Sequence, residues 1–305
     1  MPSKPSTTKS QLRPGPTRLA NIHLVIPTHG RTHKQITLGA LPDALRNSVT
    51  LVASLPEEAK ALRTLYPDNE VAVARGATGI AEKRHWIMKN LTDGPDMVFM
   101  MDDDLAFFER CPPKWRVWQE ERSAYALAPK APAGTALMMR LYPNSDVLLR
   151  LFKDLDDRVK THGPALLGIA HRRHSDKIQA SWHLNGRMMY AFGVSRDVYK
   201  RLGLRFDAVK CREDFHIVLS VLRAGLQGHS YLELLNNEYG SFGAVGGCHD
   251  ERSMDLSDAQ CDVLARLHPG FVKVVDRAYK GSIQRKEVVV SWKRAYESAK
   301  KARVK

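Results

Sequence analysis

Three consecutive carboxylates, Asp102, Asp103 and Asp104, close the apolar run Met97-Val98-Phe99-Met100-Met101. Closely spaced carboxylate oxygens suit a hard divalent cation, Mg2+ or Mn2+, that itself holds phosphate oxygens. On an extended backbone Asp102 and Asp104 point to one side and Asp103 to the other. Asp102 and Asp104 are therefore expected to share a metal, with Asp104 its first ligand and Asp103 more structural. An acidic turn in solvent is the plain alternative, but the preceding five apolar residues read as a strand buried on both faces. Further along, Cys211-Arg212-Glu213-Asp214-Phe215-His216 opens an apolar helix. A carboxylate at such a helix start can accept a proton from a hydroxyl, or simply complement the positive end of the helix dipole. Asp214 is taken as the general base and Glu213 as a contact to acceptor hydroxyls. A third group, Lys83 and Arg84, follows the tight turn Gly76-Ala77-Thr78-Gly79. An amide-rich turn with two cations in the first helical turns suits a phosphate, against the alternative of a solvated helix face.

These groups need elements to hold them. Ile22 to Pro27, Val49 to Ala53, Glu70 to Ala74 and Met97 to Met101 each read as buried strands. Helices opening at Pro56 and at Ile80 alternate with them, which argues for a parallel sheet and makes the first hundred residues a nucleotide-binding half. Acids at a strand's carboxyl end fall where open α/β sheets bind ligands. After Asp104 the pattern loosens. Residues 109–135, with four prolines, are expected to form a loop or lid. A helix is expected over Asp146 to His162, strands over Leu166–His171 and Met188–Val194, a helix from Asp214 to Arg223, and an extended run from His229 to Leu235. The last thirty residues read as a basic helix, Val288 to Lys301, or an irregular arm. His171-Arg172-Arg173-His174 is a weak metal signal, solvent-facing strand residues being the larger expectation. Trp182 to Gly186 could line an acceptor site, with Trp182 stacking on a base or packing in the core.

The chain has 305 residues, a formal net charge of +14 and 43% hydrophobic residues, an ordinary globular composition that can bury a large core. No stretch approaches a membrane span, the N-terminus lacks an apolar h-region, and Cys111, Cys211, Cys248 and Cys261 lack metal or disulfide spacing. A reducing cytoplasm is the default expectation. The charge is uneven: residues 1–18 carry four basic groups and no acid, and residues 273–305 carry eleven Lys/Arg against three acids. Basic ends fit a polyanion such as DNA, an anionic membrane surface, or plain solvation.

The segments IHLVIPTHGR, VTLVAS, VAVARGATGIAEKRHWIM and MVFMMDDDL resemble the nucleotide-sugar half of a GT-A fold glycosyltransferase. The CREDFH segment resembles the acceptor-side motif of these enzymes. A narrower resemblance, resting on the Asp-Asp-Asp strand end, on Arg-Glu-Asp-Phe-His and on Gly246-Gly247-Cys248-His249-Asp250-Glu251-Arg252, is to bacteriophage TET-associated DNA glycosyltransferases, which act on 5-hydroxymethylpyrimidines. The resemblance implies an α/β GT-A fold: a Rossmann-like nucleotide-binding sheet with a mixed acceptor half. It implies a nucleotide-sugar co-substrate, most simply a UDP-sugar, gripped by Pro27, Thr28, Arg31, Gly79, Lys83, Arg84, Asp102 and Asp103. Arg84 would approach the diphosphate and Lys83 support it. The metal, Mn2+ or Mg2+, would sit on Asp104, Asp102 and a late imidazole, His249, although a surface or core histidine is an equal reading there. The acceptor would be 5-hydroxymethylcytosine in DNA, and a phage-encoded enzyme would work in the host cytoplasm.

The expected organisation is a basic arm (1–18), a glycosyltransferase domain (19–272, with its nucleotide-sugar half about 19–108 and acceptor half about 136–272) and a basic helix or arm (273–305). The competing readings are a glycosyltransferase acting on a glycan or small molecule, a nucleotidyltransferase, and a nucleic-acid-binding module whose acids hold a structural ion.

Overall fold

The computed structural model describes residues 18–111, 137–141, 146–171, 180–238, 254–279 and 283–304. The first half alternates as expected: β1 (Ile22–Pro27), β2 (Thr50–Ala53), α3 (Pro56–Leu65), β3 (Val71–Val73), α4 (Ile80–Asn90) and β4 (Met97–Met101). Two short helices, α1 (Ile36–Ala40) and α2 (Asp43–Arg46), lie between β1 and β2. They are too short to show a periodicity. Next come β5 (Leu105–Cys111), β6 (Leu137–Arg140), α5 (Asp146–His162), β7 (Leu166–His171), β8 (Trp182–Leu184), β9 (Ala191–Ser195) and α6 (Arg196–Arg201). The chain closes with α7 (Glu213–Arg223), β10 (Gly228–Glu238), α8 (Met254–Leu267), β11 (Val272–Tyr279), β12 (Ile283–Val290) and α9 (Trp292–Val304).

One sheet runs β3-β2-β1-β4-β9-β7-β10-β5-β6, with β8 also paired to β10. The β3, β2, β1 and β4 strands are mutually parallel. Beyond β4 the sheet becomes mixed: β9 is antiparallel to β4 and to β7, while β7 and β10 are parallel. This is the α/β class expected, a parallel half joined to a mixed half. Successive residues of β4 feed opposite cores. Met97, Phe99 and Met101 join Leu38, Leu62 and Phe152 on one face. Val98 and Met100 join Ile87, Val218 and Ala295 on the other. Both faces are therefore covered by helices, and the strand shows no polar alternation because neither side meets water. Period-3.6 spacing survives where a helix covers only one face. In α5, Leu148, Leu151, Phe152 and Leu155 are buried and the rest of the helix is largely polar.

Two expectations need correction. The strand placed at Met188–Val194 begins at Ala191, because Tyr190 has φ 63° and breaks the extended run. The helix expected over Val288 to Lys301 begins only at Trp292, because Val288 to Val290 end the second strand of a β11–β12 hairpin. β-Branched Val288, Val289 and Val290 favour the strand. This unit is no solvated arm: Val272, Ala295 and Tyr296 are buried in the core. Within the span expected as a loop or lid, residues 109–111 extend β5; residues 112–136 lie outside the described residues, as do residues 1–17.

Candidate active site

The chain runs outward from β1 through β2 to β3 and then returns to β4 on the other side of β1. A sheet whose order reverses in this way leaves a crevice beyond the carboxyl ends of the two strands at the reversal, where ligands bind. Thr28 leaves β1 there and the three aspartates leave β4. The loop after β1 holds the aspartates by direct bonds. The buried Thr28 hydroxyl donates to Asp103 Oδ2 at 2.6 Å and accepts from Gln35 Nε2 at 2.7 Å. Arg31 Nη1 lies 2.8 Å from Asp103 Oδ1 and 2.9 Å from Asp104 Oδ2. Lys83 Nζ donates to the Thr28 carbonyl, and Thr37 bridges the turn by donating from Oγ1 to the Asp102 carbonyl while accepting from Leu105 N–H.

The simple alternation of side chains does not hold. β4 ends at Met101 and the backbone turns at Asp103 and Asp104. Asp103 and Asp104 consequently share Arg31, while Asp102 faces Arg84. Arg84 makes the connection that sequence spacing could not show. Its Nη2 lies 2.6 Å from Asp102 Oδ1 and its Nη1 lies 2.8 Å from Glu213 Oε1. The guanidinium is 2% exposed and sits over the Phe192 ring, 5.3 Å from its centroid. It bridges the strand-end acids to the helix-start acids, two motifs far apart in the chain. Glu213, itself buried, is thus occupied by Arg84 rather than open to an acceptor, and Lys83 is turned inward to the Thr28 carbonyl. Glu213 was expected to face the acceptor and Arg84 the diphosphate, with Lys83 in support; burial in one paired network turns all three inward. Gly79, expected to offer amides to phosphate, precedes α4 and donates its N–H to Glu82 at 3.1 Å. Pro27 is buried as the last residue of β1.

The acids carry stored electrostatic tension. Burial, then the charges of Asp102 and Asp103, push Asp104 up to about 6 against the opposing pull of Arg31. Burial also raises Asp214, partly offset by Arg84 and Arg187, with Asp102 raising it further. A carboxyl raised by burial and by neighbouring acids marks a site poised for proton transfer or cation binding. Among the described residues no group of three or more His, Cys, Asp or Glu is arranged to hold a metal, and His249 lies outside them. Asp102 and Asp104 pair with different arginines at the same strand end, so they suit only a Mg2+ or Mn2+ ion held mainly through substrate. One or two carboxylates completed by phosphate oxygens and water is the usual arrangement, and a cation would offset the Asp102 and Asp103 charges that, after burial, raise Asp104.

Backbone strain marks the same place. The positive-φ non-glycine residues among those described are Asn185 (58°), Tyr190 (63°) and Arg212 (65°). Arg212 directly precedes Glu213 and Asp214, and the Tyr190 carbonyl accepts from Asp102 N–H at 2.9 Å. Asn185 begins the segment that carries Arg187, whose exposed guanidinium lies over the Phe215 ring at 4.6 Å. Sequence reading missed Arg187, Tyr190 and Arg212; only Asn185-Gly186 carried a turn signal. Trp182 packs, stacking on Tyr231 at 4.5 Å under the Arg158 guanidinium. His171 is buried against Tyr190, and residues 172–174 lie outside the described residues.

A profile of the family described as TET-Associated Glycosyltransferase matches residues 22–237, from the start of β1 nearly to the end of β10 and including both acid motifs. No curated protein matches the chain. Among solved structures, a mannosyltransferase from Pyrobaculum calidifontis in complex with GDP-Man and Mn2+ is 13% identical, with 74% of this chain and 61% of that chain covered and a TM-score of 0.41. GalNAc-T7 with UDP, GalNAc and Mn2+ is 12% identical, with 81% and 48% covered and a TM-score of 0.42. A CMP:2-keto-3-deoxy-manno-octonic acid synthetase complexed with CTP is 9% identical, with 69% and 89% covered and a TM-score of 0.39. The chain spans less than two thirds of the length of the two glycosyl-transferring neighbours.

Proposed function

The chain belongs to the TET-associated glycosyltransferase family, and from that premise we propose that it transfers a sugar from a nucleotide sugar to the hydroxymethyl group of a 5-hydroxymethylpyrimidine in DNA. A UDP-sugar is the donor class proposed, and 5-hydroxymethylcytosine the acceptor base. The observation that carries the reading is the Arg84 bridge, which makes the strand-end and helix-start acids parts of one site.

In this reading the Asp214 carboxylate accepts the proton of the acceptor hydroxymethyl group. The freed oxygen attacks the anomeric carbon, the bond from that carbon to the diphosphate breaks, and the nucleoside diphosphate departs with the bonding pair. Attack opposite the leaving group inverts the anomeric centre. Asp102 and Asp104 would hold a Mg2+ or Mn2+ ion, which stabilises the negative charge growing on the leaving diphosphate. Arg84 is a positioning residue: it fixes Asp102 and Glu213, and through α7 the place of Asp214. Asp103, Thr28 and Arg31 fix the turn that presents Asp104. Burial suits Asp214 to its task, because a raised carboxyl is a better base at neutral pH than an ordinary one.

The test is incubation with a panel of UDP-sugars and with hydroxymethylated, methylated or plain DNA, followed by digestion and nucleoside mass spectrometry. A sugar-mass increase confined to the hydroxymethylated nucleoside is expected, with free UDP as co-product. Pyrophosphate released from a triphosphate would make the chain a nucleotidyltransferase. Transfer to a glycan but not to DNA would move the acceptor to that class.

A further inference from the structure

A cleft of about 760 Å3 opens between the β7, β8 and β10 strands and the start of α9. Its walls carry His171, His183, Arg187, Trp292, Lys293 and Arg294, among others. Among the described residues the one carboxylate in the lining, Glu297, lies 3.7 Å from Lys293. Arg187 and Trp292 meet at a single ring. The Arg187 guanidinium covers Phe215 at 4.6 Å, and Trp292 packs edge-on to the same ring at 5.3 Å and 78°. Phe215 directly follows Asp214, and the Arg187 charge acts on the Asp214 carboxyl, so this wall stands near the proposed base. At the other end of the strained segment Met189 lines the cleft and Tyr190 holds Asp102 through its carbonyl.

We propose that this cleft receives one unstacked nucleotide of a DNA strand, and that the hairpin-helix unit at 272–304, outside the family-matched span, builds one wall of it. The inference rests on the DNA reading above and assigns its acceptor subsite. The volume lies within the roughly 300–1,000 Å3 of small-molecule sites. It admits one splayed-out nucleotide, whereas a duplex is too wide to enter. Chemistry on a base requires it to leave the stack, and the pocket that receives it usually offers an aromatic face and cations for the flanking phosphates. Trp292 supplies the aromatic group. Arg187 and Lys293 are both exposed, and among the described residues no carboxylate pairs with Arg187 at ion-pair distance. Arg294 is tied to the Gly270 carbonyl at 2.6 Å and braces the wall. Gly186 keeps the floor low: a Cβ there would fall 2.5 Å from the His183 ring.

The test measures binding of a short single-stranded oligonucleotide by fluorescence anisotropy over a salt series, without donor, for the full chain and its R187Q, K293Q and double variants. K89Q, on the exposed end of α4, is the control. Melting curves confirm folding, which the exposure of the substituted side chains should preserve. Each substitution is expected to weaken binding about threefold or more and to lower the salt slope by about 0.7, the value for one lost phosphate contact to a single strand. The control should change neither. Unchanged affinity and slope in the double variant would overturn the assignment, as would equal losses in K89Q. If the wild type binds the oligonucleotide with this dependence yet glycosylates no DNA, the cleft assignment stands and the acceptor reading falls. If DNA is glycosylated but the double variant binds normally, the reverse holds.

Discussion

At the scale of single residues, the site is a set of crowded, buried carboxylates whose charge guanidinium groups partly offset. Asp104 titrates at about 6 in the fold against about 3.9 in an unfolded chain. The folded state therefore holds this proton more tightly, so the ionised form costs stability. That cost is absent below the unfolded value, grows from pH 4 to 6, and is complete above the folded value. Asp104→Asn cannot ionise, and in metal-free buffer at pH 7.5 it should be more stable than the wild type, by an amount on the order of 1–3 kcal/mol. The difference should vanish near pH 4, while sugar transfer is lost throughout. Chemical denaturation at both pH values reads this directly, and a less stable variant at pH 7.5 would show that the Arg31 pair outweighs the repulsion. Burial raises the Asp103 carboxyl as well, but the Thr28 hydroxyl and Arg31 pull it back down and depend on it as their acceptor. Asp103→Ala should destabilise by about 1–3 kcal/mol, the cost of stranding buried donors, as measured by urea denaturation. For Asp214 the raised carboxyl predicts a pH–rate profile whose acid limb lies above that of an ordinary carboxylate. An acid limb near pH 4 would remove it as the base.

At the scale of elements, Arg84 decides how β4, α4 and α7 meet. Arg84→Gln leaves the buried Glu213 carboxylate without its cation, a loss of about 3–5 kcal/mol for a broken buried pair. Urea denaturation should show it, and a change under 1 kcal/mol would mean that Glu213 finds another partner. What the sequence could disclose follows from the same geometry. Strands buried on both faces and α5 with its single apolar stripe announce themselves through local pattern, so β1, β2, β4, α4, α5 and β7 were placed nearly residue by residue. The acids at the end of β4 were legible because a parallel strand's carboxyl end is a known ligand position. Their pairing was not, since the turn after Met101 cancels the period of two. Nothing local could reveal that Arg84 would reach Glu213 or that Arg187 would cover Phe215, because these are long-range contacts. The αL conformations of Tyr190 and Arg212 were equally silent, as neither residue type favours a positive φ.

At the scale of the whole molecule, the positive charge sits partly in a folded unit. The β11–β12 hairpin and α9 carry much of the C-terminal charge, yet Ala295 and Tyr296 pack into the same core as Val98 and Met100. Truncation after Gly270 should therefore abolish cooperative unfolding or lower the melting temperature by many degrees, as followed by circular dichroism. A truncated chain that melts like the full one would mean the unit only rests on the surface. No helix among the described residues is long and apolar enough to cross a membrane.

The central claim is that the acids after β4 and those opening α7 form one site that moves a sugar onto a hydroxymethyl oxygen. Its most direct test is a single-turnover comparison of wild type and Asp214→Asn, with donor affinity measured separately. Hydroxymethylated DNA is the acceptor, and free nucleoside diphosphate and the glycosylated nucleoside are quantified together. The wild type should release one diphosphate per sugar gained by the nucleoside. Asp214→Asn should bind donor nearly as well while slowing both products together by about two orders of magnitude or more. An unchanged rate in Asp214→Asn, or diphosphate released without any gain of mass on the hydroxymethylated nucleoside, would contradict the account.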